Sequence, residues 1–454
     1  MRFYRFFAIA FLTVFAGQAQ ELPTHFNLEE AIAFALENNY SSINATRDME
    51  DAQKQKWETI ATGLPQISGA VNYQDQLIQP LSLIPGEFLP NGEPGTFVPI
   101  IFGPPRSTAA TATLRQQIFD GSYIVGVQAT KAFLSYSANN KEKTNQEVRK
   151  AVVESYGNVL LALETTAILR RNIATVDKNL YETAKLFENG LAEEESVEQL
   201  QITLANLKNA LNSSERLETI TLQMLNVVMG LPLDHPTELT QTLDNLVIQE
   251  TEPELLNTQF FLENNTDYKL AVNLNQQRYY EWKLARSRAL PTLNAFLNYG
   301  WTEFGDPVTI LGTDRQGFES SILGFDLNIP IFSSLKRSAS TQRAKIALEK
   351  AKTQLEEAEQ MLVLQHERAR SDYILAIETY QTSKENLALA ERIERKNEIK
   401  YSEGIASSFD LRQAQTQLYT AQQDYLQAMV EVINKKTELE NILNADNEAP
   451  ISRN

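Results

Sequence analysis

Two stretches of this chain, residues 35–73 and 261–299, align without a gap, and that duplication limits the fold more than any other feature. Glu37-Asn38-Asn39 falls on Glu263-Asn264-Asn265, Leu64-Pro65 on Leu290-Pro291, and Asn72-Tyr73 on Asn298-Tyr299. A second pair follows in each half. "FENGLAEEESVEQLQITL" begins at Phe187 and "YSEGIASSFDLRQAQTQL" at Tyr401, which sets Gly190 on Gly404 and Gln201 on Gln415. The unit is too long for a solenoid repeat, so a 454-residue chain carrying it twice is expected to be pseudo-symmetric.

Each copy opens with a polar, alanine-rich helical stretch, about Asn27 to Thr62 in the first. Thr24 or Asn27 can cap it, and Gly63 and Pro65 end it. The period then changes to two. Ile67, Gly69, Val71 and Tyr73 alternate with Gln66, Ser68, Ala70 and Asn72; in copy two, Leu293, Ala295, Leu297, Tyr299 and Trp301 alternate with Thr292, Asn294, Phe296, Asn298 and Gly300. After a Pro/Gly-rich connection a second strand returns. Ala110, Ala112, Leu114 and Ile118 form its apolar side in copy one, and Leu323, Phe325, Leu327, Ile329 and Ile331 in copy two. Alternation of this kind predicts a sheet with one apolar and one wet face, with strands near 66–76, 107–119, 292–302 and 320–332. The first connection is 13 residues longer than the second and holds "PGEFLPNGEPGTFVP".

Behind each second strand lies a proline-free helical stretch, about Ser122 to Glu188 and Ser334 to Ser402. At about 1.5 Å per residue such a helix reaches roughly 100 Å, so it needs partner helices alongside. Ala344, Ala351 and Ala358 recur every seven residues among Leu348, Leu355 and Leu362. Beyond Gly404, Leu411, Leu418, Tyr425, Val432 and Leu439 do the same, with Ala414, Ala421 and Ala428 between them. This is coiled-coil spacing, and it predicts that each long helix turns at its glycine and returns as an antiparallel hairpin. The returning helix is half as long as its partner, and the opening helix supplies the other half. Each repeat should therefore make one continuous column and one built from two pieces.

The first residues, "MRFYRFFAIAFLTVFAGQAQ", have the basic start, short apolar run and small-residue exit of a secretory signal peptide over 1–19. The expected divisions are then a first repeat over 20–230, a linker over 231–252 near the middle of the helical columns, a second repeat over 253–446 and a tail over 447–454. The chain has no cysteine, so disulfides and an acylated N-terminal cysteine are excluded. A net charge of −17 argues against a nucleic-acid partner. His25, His235 and His366 stand far apart without cysteine companions, and no metal site or cofactor is expected. No nucleophile elbow, P-loop or dinucleotide fingerprint appears, so the chain does not read as an enzyme. Glu193-Glu194-Glu195 reads as a solvated helix start.

Four strands per chain leave two open edges and cannot enclose a lumen. An exported chain with an even strand number, alternating strands and Tyr73, Tyr299 and Trp301 near strand ends points to the bacterial outer membrane, with several chains sharing one barrel. Three chains give twelve strands and room for a channel. A periplasmic coiled-coil scaffold without a pore is the alternative from another class.

The ordered set resembles the TolC family of outer-membrane efflux proteins over nearly the whole mature chain. It does so through the duplicated plan, the Leu-Pro at each helix-to-strand switch and the signatures "FENGLAEEESVEQLQ" and "YSEGIASSFDLRQAQ". The resemblance implies a mainly α fold with β: a homotrimer with a twelve-stranded transmembrane β-barrel continued by a periplasmic α-helical barrel. It implies an exit duct for efflux or type I secretion, a periplasmic adaptor, and an inner-membrane pump of RND or ABC type. It also implies that the hairpin tips, 187–196 and 401–410, carry the gate and the adaptor contacts, through Gly190, Leu191, Gly404 and Ile405. The family's aperture aromatic falls on Tyr401 and its acidic ring on Asp410; a helix N-cap is the plainer role for Asp410. A second acidic position is Gln413 here, and a basic gate position is Ala406, so the constriction is expected to be held differently.

Overall fold

The computed structural model describes residues 22–91, 93–304 and 317–444. The expected signal peptide, the C-terminal tail and most of the second inter-strand connection lie outside these residues. Along the chain come β1 (His25–Phe26), α1 (Leu28–Asn38), α2 (Tyr40–Ala61), β2 (Gln66–Asp75), β3 (Leu81–Pro85), β4 (Phe97–Ile101), β5 (Arg106–Asp120), α3 (Gly121–Glu188) and α4 (Glu194–Met229). Next are β6 (Glu238–Leu239), α5 (Leu243–Glu250), α6 (Thr266–Ser287), β7 (Thr292–Phe304), β8 (Gly317–Asn328), α7 (Lys336–Ser402) and α8 (Ser408–Leu443). Two compact units are formed, and both draw on both repeats. One takes residues up to Ile43, Asn145–Thr258 and Arg368–Asn441; the other takes Asn44–Thr144, Gln259–Glu367 and residues from Ile442.

In the first unit the chain starts with a capping box. The Asn27 side chain accepts from Glu30 N at 2.8 Å, and Glu30 accepts from Asn27 N at 2.9 Å. The opening helix is not continuous, as the sequence had suggested, but breaks at Asn39. There Oδ1 caps the next helix by accepting from Ser41 N at 2.7 Å, and Nδ2 donates to Val228 O in the last turn of α4 at 2.7 Å. The break satisfies backbone groups at two helix ends with one side chain. Residues 231–252, read as a plain linker, are structured. β6 pairs in parallel with β1, and α5 buries Leu243, Leu246 and Val247. They pack into the largest apolar core of this unit, with Phe26, Val152, Tyr156, Leu225, Met229 and Ile433. Tyr156 is fully buried and donates within 3.2 Å of Phe26 O and Gln241 Oε1; burial pushes its phenol up to about 12. The heptad stripe of α8 is buried as its spacing requires, with Leu411 at 1% exposed and Val432 and Leu439 at 0%.

The second unit carries a four-stranded antiparallel sheet in the order β2-β5-β7-β8. Its registers put Ile67 opposite Leu114, Leu114 opposite Leu297, and Leu297 opposite Leu323. One face is therefore mainly apolar, with Val71, Leu323 and Phe325 on it exposed, while Thr108, Glu303, Glu319 and Ser321 interrupt it toward one end of the strands. The other face carries Ser68, Thr113 and Asn298, though Phe296 and Ile322 interrupt it. Two details differ from the alternation. The β5–β7 register shifts between Gln117 and Phe119, so Ile118 is the extra residue of a bulge. And β8 ends at Asn328 instead of running to 332: Asn328 pairs with Thr292, the first residue of β7, and Pro330 beyond it has no N–H to give. The long Pro/Gly-rich first connection contains regular structure. It holds the hairpin β3–β4, with Leu81 opposite Ile101; Pro85 and Pro99 had obscured its alternation.

The second unit repeats the Asn39 joint. Asn265 Oδ1 accepts from Tyr268 N at 3.1 Å, and Nδ2 donates to Ile442 O at 3.0 Å. Among the described residues no helix is long and apolar enough to cross a membrane.

Candidate functional site at the hairpin tips

Both tips belong to the first unit and are built the same way. α3 ends at Glu188, and Gly190 takes φ +73°, the left-handed conformation. Gly190 N donates to Phe187 O at 2.8 Å and Leu191 N to Leu186 O at 2.9 Å. This paired closure satisfies the last carbonyls of the helix. At the other tip Gly404 has φ +74°, its N–H donates to Tyr401 O at 3.0 Å, and Ile405 N donates to Lys400 O at 2.8 Å. A Cβ on either glycine would meet nothing within 4 Å, so backbone conformation, not space, selects glycine at both. The residue after each glycine is a bare apolar side chain: Leu191 is 75% exposed and Ile405 72%. Neither side chain is part of a core.

The tips are joined to each other. Ser196 Oγ donates to Ser408 Oγ at 3.1 Å, linking the starts of the two returning helices. The hydroxyls of Tyr401 and buried Thr183 are 2.8 Å apart, linking the outgoing helices. Tyr401 is thus held against the neighbouring hairpin by its polar end. Thr183 and the two serines were not singled out in the sequence. Their only signal was hydroxyl residues near the tip glycines, which are common at helix starts anyway.

Asp410 is exposed and is not the N-cap. Ser407 is the cap: its Oγ accepts from Asp410 N at 3.2 Å. Asp410 Oδ2 in return accepts from Ser407 N at 3.0 Å and Ser407 Oγ at 2.6 Å. The carboxylate therefore sits at the third helical position of a reciprocal capping box, and the hydrogen bonds from Ser407 hold its pKa below the usual aspartate value. Gln413, one turn on, is also exposed. Higher in the α7–α8 seam, burial and then Glu398 push the half-buried Glu394 carboxyl upward, against Gln415 and Arg395.

Tyr73, Tyr299 and Trp301 lie in the second unit. The registers Tyr73–Thr108, Ala112–Tyr299 and Ala110–Trp301 place all three on the apolar face of the sheet. Among the described residues no group of three or more His, Cys, Asp or Glu could hold a metal ion.

Residues 259–445 match the family described as outer membrane efflux protein. No curated protein matches the chain by sequence. Among solved structures, the outer membrane protein VceC from Vibrio cholerae is similar with a TM-score of 0.71 at 14% identity, covering 92% of this chain and 95% of that one. The CmeC outer membrane channel of Campylobacter jejuni gives 0.73 at 16% identity, with 92% and 85% covered. The open state of the MtrE outer membrane channel of Neisseria gonorrhoeae gives 0.69 at 17% identity, with 92% and 88% covered. At these identities the likeness establishes a shared fold, that of TolC-family outer membrane channels.

Proposed function

We propose, on the premise that this chain carries an outer membrane efflux protein domain on the fold of TolC-family channels, that it is the passive outer-membrane exit duct of a tripartite efflux or type I secretion system. The observation that carries the reading is the sheet: a mainly apolar face over four strands, with two unpaired edges, on the same chain as helices of 68 and 67 residues. A lipid-facing sheet must close on itself, because hydrocarbon offers no partners to a bare edge. Three copies supply twelve strands, enough for a lumen. On this reading Tyr73, Tyr299 and Trp301 face lipid. Gly190, Leu191, Gly404 and Ile405 meet a periplasmic adaptor, which delivers substrate from an inner-membrane pump. Tyr401, Asp410 and Gln413 line the aperture.

Three Asp410 carboxylates at a constriction would favour cations. Asp410→Asn is expected to lower cation selectivity in planar bilayers, and unchanged reversal potentials would remove Asp410 from the aperture. The sign of the pH dependence follows from its lowered pKa. The charge, and the capping contribution that goes with it, are present above the ordinary aspartate value of about 3.9 and fade only as pH falls through the lower folded value. Wild-type selectivity should therefore persist at pH near 4.

Gly404→Val forces a branched side chain into the left-handed region, which costs about 1–2 kcal/mol or more at a position with open space around it. The strain is local to the turn. Loss of adaptor co-purification with an unchanged trimer mass is expected; normal efflux by this variant would count against the tips as the docking site.

A further inference from the structure

Every strand of the four-stranded sheet meets its helix at the same end. α2 ends before Gln66, α3 starts after Asp120, α6 ends before Thr292 and α7 starts after Asn328. Side chains fasten these helix ends in the order α2, α3, α6, α7. Tyr123 Oη donates to Ile60 O at 3.1 Å, Ser287 Oγ to Ser122 Oγ at 3.3 Å, and Thr341 Oγ1 to Ala285 O at 3.4 Å. The band they form is basic, although the chain carries a net charge of −17. On α2, Lys54 and Lys56 stand against Glu58. On α6 and just beyond it, Lys283, Arg286 and Arg288 stand against Glu281, which Arg278 already holds at 2.7 Å. On α7, Lys336, Arg337 and Arg343 have no acid among them. At the start of α3 the only charge is Asp120, whose Oδ1 caps its own helix by accepting from Ser122 N at 2.6 Å. Farther from the sheet the sign reverses: Asp48, Glu50 and Asp51 precede Lys54, and Glu356, Glu357 and Glu359 follow Arg343. At the opposite end of the sheet, Asp75, Glu303 and Glu319 stand against Arg106.

Helix electrostatics do not account for this band. Cations suit the C-terminal ends of α2 and α6, but α7 starts here, where the dipole favours acids, and its first turn has none. Lys54, Lys56, Arg286, Arg288, Lys336 and Arg343 are exposed, and none of them has an acidic partner among the described residues. The band is also aromatic. Of the chain's three tryptophans, Trp57 and Trp282 lie in it and Trp301 lies on the sheet. Trp57 is 61% exposed and shares a side of α2 with Lys54. On α6 the Arg286 guanidinium lies 5.4 Å from the Trp282 ring centre, and the Lys283 ammonium 4.8 Å from that of Tyr279. Ahead of α7, the exposed Ile331, Phe332 and Leu335 run directly into Lys336. Bare apolar groups beside unpaired cations suit a surface that is hydrocarbon on one side and anionic on the other.

We propose that the ends of α2, α6 and α7 next to the sheet form a basic and aromatic collar that binds the headgroups of anionic phospholipids. This rests on the lipid-facing reading of the sheet above. Lys54, Arg286, Arg288 and Lys336 take the phosphates, and Trp57, Trp282, Ile331 and Phe332 meet the first carbons of the acyl chains. The apolar pairs Ile67–Leu114 and Leu293–Leu327 lie at this end of the sheet, so a lipid layer against them sets its headgroups at the collar. Phosphatidylglycerol carries a net negative charge and phosphatidylcholine none, so the collar selects the first. The acidic opposite end has no such preference, and the sheet therefore distinguishes the two leaflets.

Trp301→Phe leaves Trp57 and Trp282 as the only indoles, so quenching by brominated lipids then reports on the collar. The full-length protein is reconstituted in vesicles mixing brominated phosphatidylglycerol with phosphatidylcholine, and the converse. Phosphatidylglycerol should bind around these tryptophans about fivefold tighter or more, the effect of about one cation at an anionic surface. High salt should shrink the preference. Arg286→Gln, Arg288→Gln and Lys336→Gln together should abolish it. Arg286→Lys, Arg288→Lys and Lys336→Arg should retain it, which separates charge from folding, and so should Lys178→Gln with Lys208→Gln outside the collar. Equal binding of the two lipids, or a preference that survives the three glutamines, overturns the proposal. Loss of the preference in millimolar inorganic phosphate would assign the cations to free phosphate and overturn the lipid source. If both lipids quench the wild type but neither quenches Trp301→Phe, the collar does not touch lipid and the proposal alone falls. If neither quenches the wild type, the membrane reading falls with it.

Discussion

Replacing Lys436 with methionine is expected to destabilise the folded chain by about 3–5 kcal/mol, the usual result of removing one partner from a buried ion cluster. Lys436 on α8 is 4% exposed, and its ammonium lies 2.7 Å from Glu250, 3.2 Å from Glu252 and 3.1 Å from Glu440. Burial is the largest influence on this group and would discharge it; Glu440 and Glu250 overcome that, and the net pKa is raised. For a raised lysine the stabilisation is fully present below the ordinary value of about 10.4 and is lost only as pH rises through the higher folded value. Neutral and acidic solutions thus keep the ammonium charged. Without it, Glu440 retains Arg149 at 3.6 Å, and Glu250 and Glu252 lose the cation that fastens the end of α5. Thermal unfolding in detergent measures the loss, and protease cleavage after residue 243 should appear at lower temperature. Adding Glu250→Gln to Lys436→Met should recover part of the stability, since Glu250 is the more buried of the two carboxylates that lose their cation. A melting temperature unchanged by Lys436→Met alone would show that the cluster holds nothing together.

Gly230→Val is expected to cost about 2–5 kcal/mol, combining left-handed strain with overpacking against backbone. Gly230 has φ +81°, and a Cβ there would strike Asn38 O, lie 2.6 Å from the Asn38 carbonyl carbon and 3.1 Å from Asn39 N. These atoms belong to the α1–α2 joint and cannot swing aside as a side chain would. The equivalent residue of the other copy is Asn444, also left-handed at φ +54°, whose Nδ2 donates to Asn264 O at 2.9 Å. One joint is closed by a missing side chain and the other by an amide that bonds the matching carbonyl. Gly230→Asn is therefore the informative variant. Asparagine tolerates the left-handed region, so only the clash remains, and a wild-type melting temperature for Gly230→Asn would refute it.

The large elements were readable because their signals are long. Sixty-odd residues without proline, with apolar residues at heptad spacing, fit a long helix and little else, and period-two alternation fixed which face of the sheet is apolar. What escaped were features set by single polar side chains. Asn39 and Asn265 stood in the aligned stretches, yet the sequence could not reveal that each starts a helix while fastening the end of another, because that partner lies some 180 residues away. The parallel bridge β1–β6 is two residues long and carries no periodicity at all. At the tips, the glycines could be read from conformation alone, whereas the Thr183–Tyr401 contact depends on how two hairpins pack. Asp410 illustrates the middle ground. Its place at a helix start was legible, but whether it caps or is capped turned on Ser407, three residues earlier.

If the chain is the duct proposed above, the bare edges of β2 and β8 also bear on the kinetics of its biogenesis. A lone chain carries two rows of unsatisfied amides beside an apolar face, a combination that water drives toward aggregation and lipid will not accept. On the duct reading, its entry into a bilayer has to coincide with meeting other copies. The yield of inserted protein should then rise more steeply than linearly with the rate of synthesis, and a chaperone that shields strand edges would extend the time a solitary chain can wait.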